Sequence, residues 1–219
     1  QDDATYVALD EATKHAPVDV VFARSFYAGS AHASGRLSGE ILGVLAAADP
    51  EEIEEGLRAL LRCLAHDACF YQADERGEIA VFPHVIAALG NYLSKEAGLA
   101  PGDAMAYLVA PPMEATVGLD AALKAGEVRT ARVFPPPTET NFSAAWLSGS
   151  LTACQAAAAA YAEAVVMVVA TPGSSITGIE QLKGRSIGVV GGDGTHGTAL
   201  YFELRHNAST IDPAPWLGI

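Results

Sequence analysis

The feature that most constrains this chain is an internal repeat. Leu9–Val18 reads LDEATKHAPV and Leu119–Val128 reads LDAALKAGEV, so leucine, aspartate, alanine, lysine and valine recur at an offset of 110 residues. Ser38-Gly39 and Ser148-Gly149 repeat that offset, and each pair is predicted to open an Ala-rich helical stretch. An offset kept over about forty residues indicates a tandem duplication, in which two copies of one fold follow each other.

The same order of elements is predicted in both copies. A β-rich run precedes a short helix that ends near a lysine, then an alternating segment forms a strand, and a long helix follows a turn-rich connection. The β-rich runs are Thr5–Leu9 and Met105–Ala110, and the alternating segments are Val18–Arg24 and Val128–Phe134. Strands mixed with helices, without strict alternation, predict the α+β class.

Helix boundaries can be read most clearly in the first copy. Asp49 is predicted as an N-cap, Pro50 takes the first helical position, and two glutamates follow in the first turn. The apolar stripe of this helix is predicted to be Ile53, Leu57, Leu60, Leu61 and Leu64. Between the copies, Asp74–Gly77 is predicted to be a turn, and Pro83–Lys95 a helix closed by Gly98.

The composition changes after residue 172. The tail is predicted to contain two strands around a Gly-rich turn, and it ends in an extended apolar segment that matches neither copy. We therefore predict a first domain over residues 1–73, a second over residues 74–172, and a β-rich tail over residues 173–219.

Charge excludes several classes of partner. The formal net charge is −13 at pH 7, so the surface repels phosphate groups, and neither nucleic acid nor an anionic membrane is expected as a partner. The longest apolar run, 151–170, is Ala-rich and interrupted by Gln155 and Glu163, which predicts a buried helix of a soluble protein. The three cysteines are too few for a disulfide framework.

Motifs over residues 1–172 resemble one family of bacterial proteins. DDATYVALDEATK, VVFARSFYAG, SGEILGVL, GNYLSKEAG, AMAYLVAPPMEAT and PPPTETNFSAAWLSGS occur in the order and spacing found in the L-subunit shell proteins of ethanolamine-utilisation microcompartments. The resemblance implies two tandem, circularly permuted shell domains and a cytoplasmic location in the microcompartment shell. It also implies no enzymatic activity and no cofactor.

The same resemblance implies partners. They are a homotrimer that mimics a hexamer around a gated central pore, other shell proteins in a flat layer, and a small polar metabolite such as ethanolamine. Family members have a helix and a strand before the point at which this chain begins. We expect either the parent protein to carry them or a tail strand such as Ser186–Val190 to replace them in the first copy.

The resemblance also implies two sites. Loops containing FYAG and CFYQ correspond to the walls of the central pore, although Phe26 and Phe70 are equally compatible with core positions. The implied pore residues are Tyr27, Ala28, Gly29, Phe70, Tyr71 and Gln72. A smaller cavity within the subunit is implied by Asp3, Glu40, Thr140 and Asn141, whose side chains suit an amino alcohol. Taken individually, these residues are more typical of caps and turns, and residues 138–141 are predicted to precede a helix.

The tail resembles the end of a lysostaphin-type zinc endopeptidase domain. Active members carry two histidines at the positions that Ala199 and Tyr201 occupy here, so no zinc ligand set is expected. A second hypothesis follows, in which the chain is an envelope protein whose inactive tail recognises or activates a cell-wall hydrolase. Cys63, His66 and Cys69 have helical spacing, but a buried helix end is a better interpretation than a metal site.

Overall fold

The fold is described from a computed structural model. It describes residues 2–27, 40–73 and 79–168, and two short strands at 204–206 and 209–211. Helices and antiparallel sheets follow one another along the chain, which confirms the predicted α+β class. The predicted boundaries between the two copies and the tail remain predictions.

The first copy is a helical pair joined to a two-stranded antiparallel sheet. Its elements are α1 (Asp2–His15), β1 (Asp19–Phe26), β2 (Glu40–Ala46) and α2 (Pro50–His66). Helix α2 begins where the sequence predicts, after Asp49, whose backbone N–H donates to the Glu52 carboxylate at 3.3 Å. Its predicted stripe is only partly covered, because Leu57 and Leu61 remain exposed.

The predicted β-run Thr5–Leu9 is wrong, because these residues lie inside α1. An offset of 110 places them on Ala115–Leu119 of a helix in the second copy, not on the strand with which they were compared. Ala4, Ala8 and Ala12 are buried at helical spacing along one side of α1. The repeat itself is consistent with the structure. The error was to compare Thr5–Leu9 with a strand of the second copy and not with the helix that lies 110 residues further along the chain.

The offset of 110 does not persist through the whole copy. Arg24 and Phe134 are 110 residues apart and occupy equivalent positions in β1 and in the matching strand of the second copy. Their partners on the neighbouring strands, Leu42 and Ala144, are only 102 residues apart. The connection after β1 is therefore longer than its counterpart. Ser38-Gly39 lie outside the described residues, and the segment that follows them is strand β2 rather than the predicted helix.

A five-stranded antiparallel sheet in the order β3-β4-β5-β7-β6 belongs to the second copy, apart from β3, which precedes the predicted boundary at residue 74. The elements of this part of the chain are β3 (Tyr71–Gln72), β4 (Ala80–Ile86), α3 (Asn91–Ala97), β5 (Ala104–Ala110), α4 (Pro112–Ala125), β6 (Arg129–Phe134), β7 (Ser143–Gly149) and α5 (Leu151–Val168). Strands β5 and β6 confirm two predicted strands, and α5 confirms the predicted long helix.

The predicted helix Pro83–Lys95 is only partly correct. Residues 83–86 belong to β4, where Pro83 pairs with Leu108, and the helix begins at Asn91. It ends as predicted at Gly98, whose φ of 65° is the left-handed conformation that glycine adopts without steric cost. The predicted turn Asp74–Gly77 lies outside the described residues.

Strand β5 divides the hydrophobic core into two layers. Ala104, Ala106, Leu108 and Ala110 face α4 and α5, whereas Met105, Tyr107 and Val109 pack in a second cluster with α1. This alternation follows from the period of two in a strand, and all seven residues of β5 are buried. The second copy thus covers one face of its sheet itself, and the first copy contributes to covering the other.

Two predictions about other segments can be compared with the structure. Among the described residues, no helix is long and apolar enough to cross a membrane. In the tail, Leu204–His206 and Ser209–Ile211 form an antiparallel pair, β8 and β9, which is not the predicted pair. The Gly-rich segment 191–194, around which the two strands were predicted, lies outside the described residues. Ser186–Val190, Ala199 and Tyr201 lie outside the described residues.

Candidate functional site

A cavity of about 280 Å³ lies where the first copy meets the sheet of the second. Helix α1 and strand β1 form one side, and strands β5, β6 and β7 with helix α3 form the other. The connection from β6 to β7 contributes Thr138, Glu139, Thr140 and Phe142. The cavity is therefore built from both copies, and a single copy could not form it.

One wall of the cavity is acidic. Asp2 and Asp3 come from the first turn of α1, and the Asp3 carboxylate accepts a hydrogen bond from the Tyr107 hydroxyl at 2.6 Å. Desolvation in this wall, reinforced by the charge of Asp2, raises the pKa of Asp3 to about 7 despite the Tyr107 hydrogen bond. Burial next to Asp3 also raises the pKa of Tyr107, so the phenol stays protonated.

Aromatic side chains adjoin this acidic wall. The Tyr107 and Trp146 rings meet edge to face with centroids 5.3 Å apart, and Phe134 meets Trp146 in the same way at 4.9 Å. Such packing fixes the orientation of these large side chains. Carboxylates and aromatic rings that line one cavity form an environment that suits a small organic cation.

The charges around the cavity favour a cation. Asp2, Asp3, Glu96 and Glu139 line it, against the two guanidinium groups of Arg24 and Arg132. The acidic surplus has the same sign as the net charge of −13 for the whole chain. An anionic ligand would meet repulsion inside the cavity as well as on approach to it.

The structure places the four predicted small-molecule residues differently. Asp3 and Thr140 line the cavity, and the Thr140 hydroxyl accepts a hydrogen bond from the Phe142 N–H at 3.4 Å. Glu40 lies at the start of β2, opposite Phe26, and Asn141 occupies a turn with φ of 59°; neither is among the cavity-lining residues. Residues 138–141 precede strand β7, not the predicted helix.

Several cavity residues carry no clear signal in the sequence. Tyr107 and Trp146 lie within motifs quoted for the family resemblance, yet a strand pattern alone predicts only that they are buried. Glu96 and Arg132 look like ordinary surface charges in the sequence. A paired Asp2-Asp3 at a helix start is the one sequence signal that points to the acidic wall, and it is equally typical of helix N-termini.

The predicted pore residues lie partly on the surface. Tyr27 and Tyr71 are exposed to 63 % and 60 %, while Phe70 stacks on Phe82 with centroids 4.7 Å apart and joins the core. Phe26 is 46 % exposed, so it is more accessible to solvent than Phe70. Gln72 of β3 pairs with Ala80 of β4, and Ala28 and Gly29 lie outside the described residues.

The cysteine and histidine cluster has the character of a helix end. Cys63 is buried, and desolvation raises the pKa of its thiol to about 11, so it stays protonated at neutral pH. Within the described parts of the chain, no three His, Cys, Asp or Glu side chains are arranged to hold a metal ion.

Comparisons with known proteins cover most of the chain. The bacterial microcompartment shell protein EutL of Clostridium perfringens is 52 % identical over 171 residues, which are 78 % of this chain and 79 % of the relative. EutL of Escherichia coli is 48 % identical over the same length, covering 78 % of each chain. No family model matches the sequence.

Solved structures agree with the sequence relatives. The crystal structure of EutL from Clostridium perfringens is 53 % identical with a TM-score of 0.71, covering 76 % of each chain. EutL from Leptotrichia buccalis is 49 % identical with a TM-score of 0.72, covering 77 % of each chain. These findings confirm the shell-protein resemblance and the tandem-domain fold, and they give no support to the envelope-protein alternative. The chain belongs to the EutL family of bacterial microcompartment shell proteins, which are structural proteins and not enzymes.

Proposed function

We propose that this chain is a shell subunit of an ethanolamine-utilisation microcompartment in the bacterial cytoplasm, that three chains surround a central pore, and that the cavity binds a small amine such as ethanolamine. Membership of the EutL family supports the shell role. The observation that carries the ligand proposal is the Asp3 carboxylate, held by Tyr107 at 2.6 Å in a cavity with aromatic walls and an acidic surplus.

The trimer follows from the tandem duplication together with the family. Three chains with two copies each bring six copies around one axis, and other shell proteins would then extend the layer at the trimer edges. Closed symmetric rings are the usual assembly of a soluble oligomer. The chain mass of 22.6 kDa therefore predicts an assembly of about 68 kDa in native mass spectrometry. A monomer at micromolar concentration would contradict the trimer.

The pore proposal assigns its wall to Tyr27, Ala28, Gly29, Phe70, Tyr71 and Gln72. Replacing Tyr27 by cysteine is expected to yield disulfide-linked pairs of chains under mild oxidation, since residues around a three-fold axis approach their symmetry copies. Exposed Val117 on α4 provides a control position for the same substitution. Non-reducing electrophoresis measures the outcome, and equal cross-linking of both variants would contradict an axial position for Tyr27.

In the ligand proposal, Asp3 accepts hydrogen bonds from the ammonium group and Thr140 pairs with the hydroxyl. Glu40 and Asn141 remain predictions that the cavity geometry does not support. Replacing Asp3 by asparagine is expected to weaken ethanolamine binding about tenfold or more, because a charge-assisted hydrogen bond is lost. Isothermal titration calorimetry measures the affinity, and unchanged binding would contradict the assignment.

Binding should also depend on pH through Asp3. With the pKa of Asp3 at about 7, the free carboxyl is largely protonated at pH 6, while an alkylammonium group keeps its charge well above neutral pH. Affinity should therefore rise with pH up to about 7 and then level off, with proton release on binding below that point. The Asp3→Asn variant should lose this dependence. Asp2, Glu139, Arg24 and Arg132 also line the cavity, so the slope is measured at constant ionic strength.

A further inference from the structure

We propose that the cavity contains a subsite for organic ammonium ions on the Phe134 and Trp146 rings, and that Arg132 fills this subsite in the free protein as a built-in competitor. Arg132 would then be the residue that determines selectivity between primary and methylated ammonium ligands. This inference rests on the proposed function, because it requires the cavity to bind amines.

The position of the Arg132 side chain is the first support. Its Cζ lies 5.0 Å from the centroid of the Phe134 ring and 5.9 Å from that of Trp146, within the range of cation–π attraction. Nη1 lies 3.7 Å from the Glu96 carboxylate and donates to the Glu96 carbonyl at 3.4 Å. The two ring faces thus already hold a cation, beside a carboxylate.

Arg132 is held in a way that permits displacement. Its side chain is 49 % exposed and that of Glu96 is 47 % exposed, so both the ion pair and the ring contact are open to water. Exposed ion pairs and exposed cation–π contacts are each weak. The guanidinium can therefore move into solvent when another cation takes its place on the rings.

The indole of Trp146 is the second support. Trp146 is 5 % exposed and lines the cavity. Among the described residues, no atom lies in position to accept a hydrogen bond from its Nε1–H. An interaction with this indole lowers the pKa of the Tyr107 phenol, against the larger opposing effect of burial. A buried donor of this kind favours a ligand that brings an acceptor, such as the hydroxyl of an amino alcohol.

The ligand class follows from these two features. Aromatic faces recognise quaternary ammonium groups, which cannot donate N–H hydrogen bonds to a carboxylate. A primary ammonium gains more from Asp3 and its hydrogen bonds. Removal of Arg132 should therefore favour a methylated amino alcohol such as choline over ethanolamine.

The experiment uses the full chain carrying Trp216→Phe, so that Trp146 is the remaining one of its two tryptophans. Choline and ethanolamine are titrated at pH 8 against Trp146 fluorescence. Arg132→Met is expected to tighten choline binding about threefold to tenfold, with a smaller gain for ethanolamine. Arg132→Lys should stay close to the unsubstituted protein, because a cation remains available to the rings.

Arg129→Met is the matched control. Arg129 lies on the same strand and is exposed, but it does not line the cavity, so its replacement removes the same charge without opening the subsite. Adding Phe134→Leu to Arg132→Met should abolish the gain in choline affinity. Thermal unfolding of each variant checks that the fold is retained.

The outcomes separate this inference from the proposed function. Equal gains in Arg129→Met and Arg132→Met would show an effect of net charge and overturn the subsite, as would weaker choline binding in Arg132→Met. If ethanolamine binding still depends on Asp3 in those cases, the proposed function stands. If neither choline nor ethanolamine binds to any of these proteins, whether or not an arginine is replaced, both the subsite and the proposed function are contradicted.

Discussion

Replacing Asp10 by alanine is expected to lower the free energy of unfolding by about 3 kcal/mol. The side chain is fully buried, and its two oxygens accept hydrogen bonds from the N–H groups of Gly90 and Leu93, each at 2.8 Å. Alanine would leave both amides without an acceptor. Gly90 itself packs tightly against α1, since a Cβ there would lie only 2.6 Å from the Asp10 carbonyl oxygen.

The repeat supplies the control for this substitution. Asp120 occupies the equivalent position in the second copy, but its side chain is 64 % exposed and forms a surface ion pair with Lys124 at 2.6 Å. Asp120→Ala should change stability by less than about 0.5 kcal/mol. Urea unfolding at constant protein concentration measures both, because trimer dissociation would add a concentration-dependent contribution. Equal losses in the two variants would contradict a special role for Asp10.

Replacing Tyr161 by alanine is expected to cost about 3–5 kcal/mol of stability, as for other large aromatic residues in cores. Tyr161 is 1 % exposed on α5, in the core layer between the sheet and the helix pair. Its ring lies against α4 where Gly118 leaves room, since a Cβ there would approach the ring carbon Cδ2 to 2.8 Å. Neither helix can close the resulting cavity without changing the packing of the other.

The conservative substitution Tyr161→Phe should change stability in the opposite direction. The Tyr161 hydroxyl is buried and has no hydrogen-bond partner among the described residues. Tyr161→Phe removes that unsatisfied group and keeps the ring, so it should raise the free energy of unfolding by up to about 1 kcal/mol. The same urea unfolding experiment compares the two variants. A loss on Tyr161→Phe would mean that the hydroxyl has a partner in the assembled protein.

Local signals in the sequence predicted local structure well. Asp49 and Pro50 predicted the start of α2, Gly98 predicted the end of α3, and alternation predicted strands β1 and β6. The errors arose where local propensity conflicts with context. Thr5–Leu9 has β-forming residues but lies in a helix, because burying the alanines of α1 outweighs the small differences in propensity.

The cavity was less predictable than the fold. Asp3 and Thr140 were identified through the family resemblance, while Tyr107, Trp146, Glu96 and Arg132 were not. The alternating pattern of a strand predicts which residues share a face of the sheet. It does not predict which of the two faces packs against the other copy and so lines the cavity. Surface charges such as Arg132 acquire a role only through the rings on which they lie.

By itself, the sequence determined the duplication, the family and the α+β class, because identities at a fixed offset, the order of motifs and the pattern of elements need no coordinates. Only the tertiary structure decided what equivalent residues do. Asp10 and Asp120 occur in the same motif, yet one holds the β4–α3 connection through buried amides and the other lies in solvent. The physical reason is that burial and hydrogen-bond partners come from the element packed against a residue, and in a tandem protein the two copies have different neighbours.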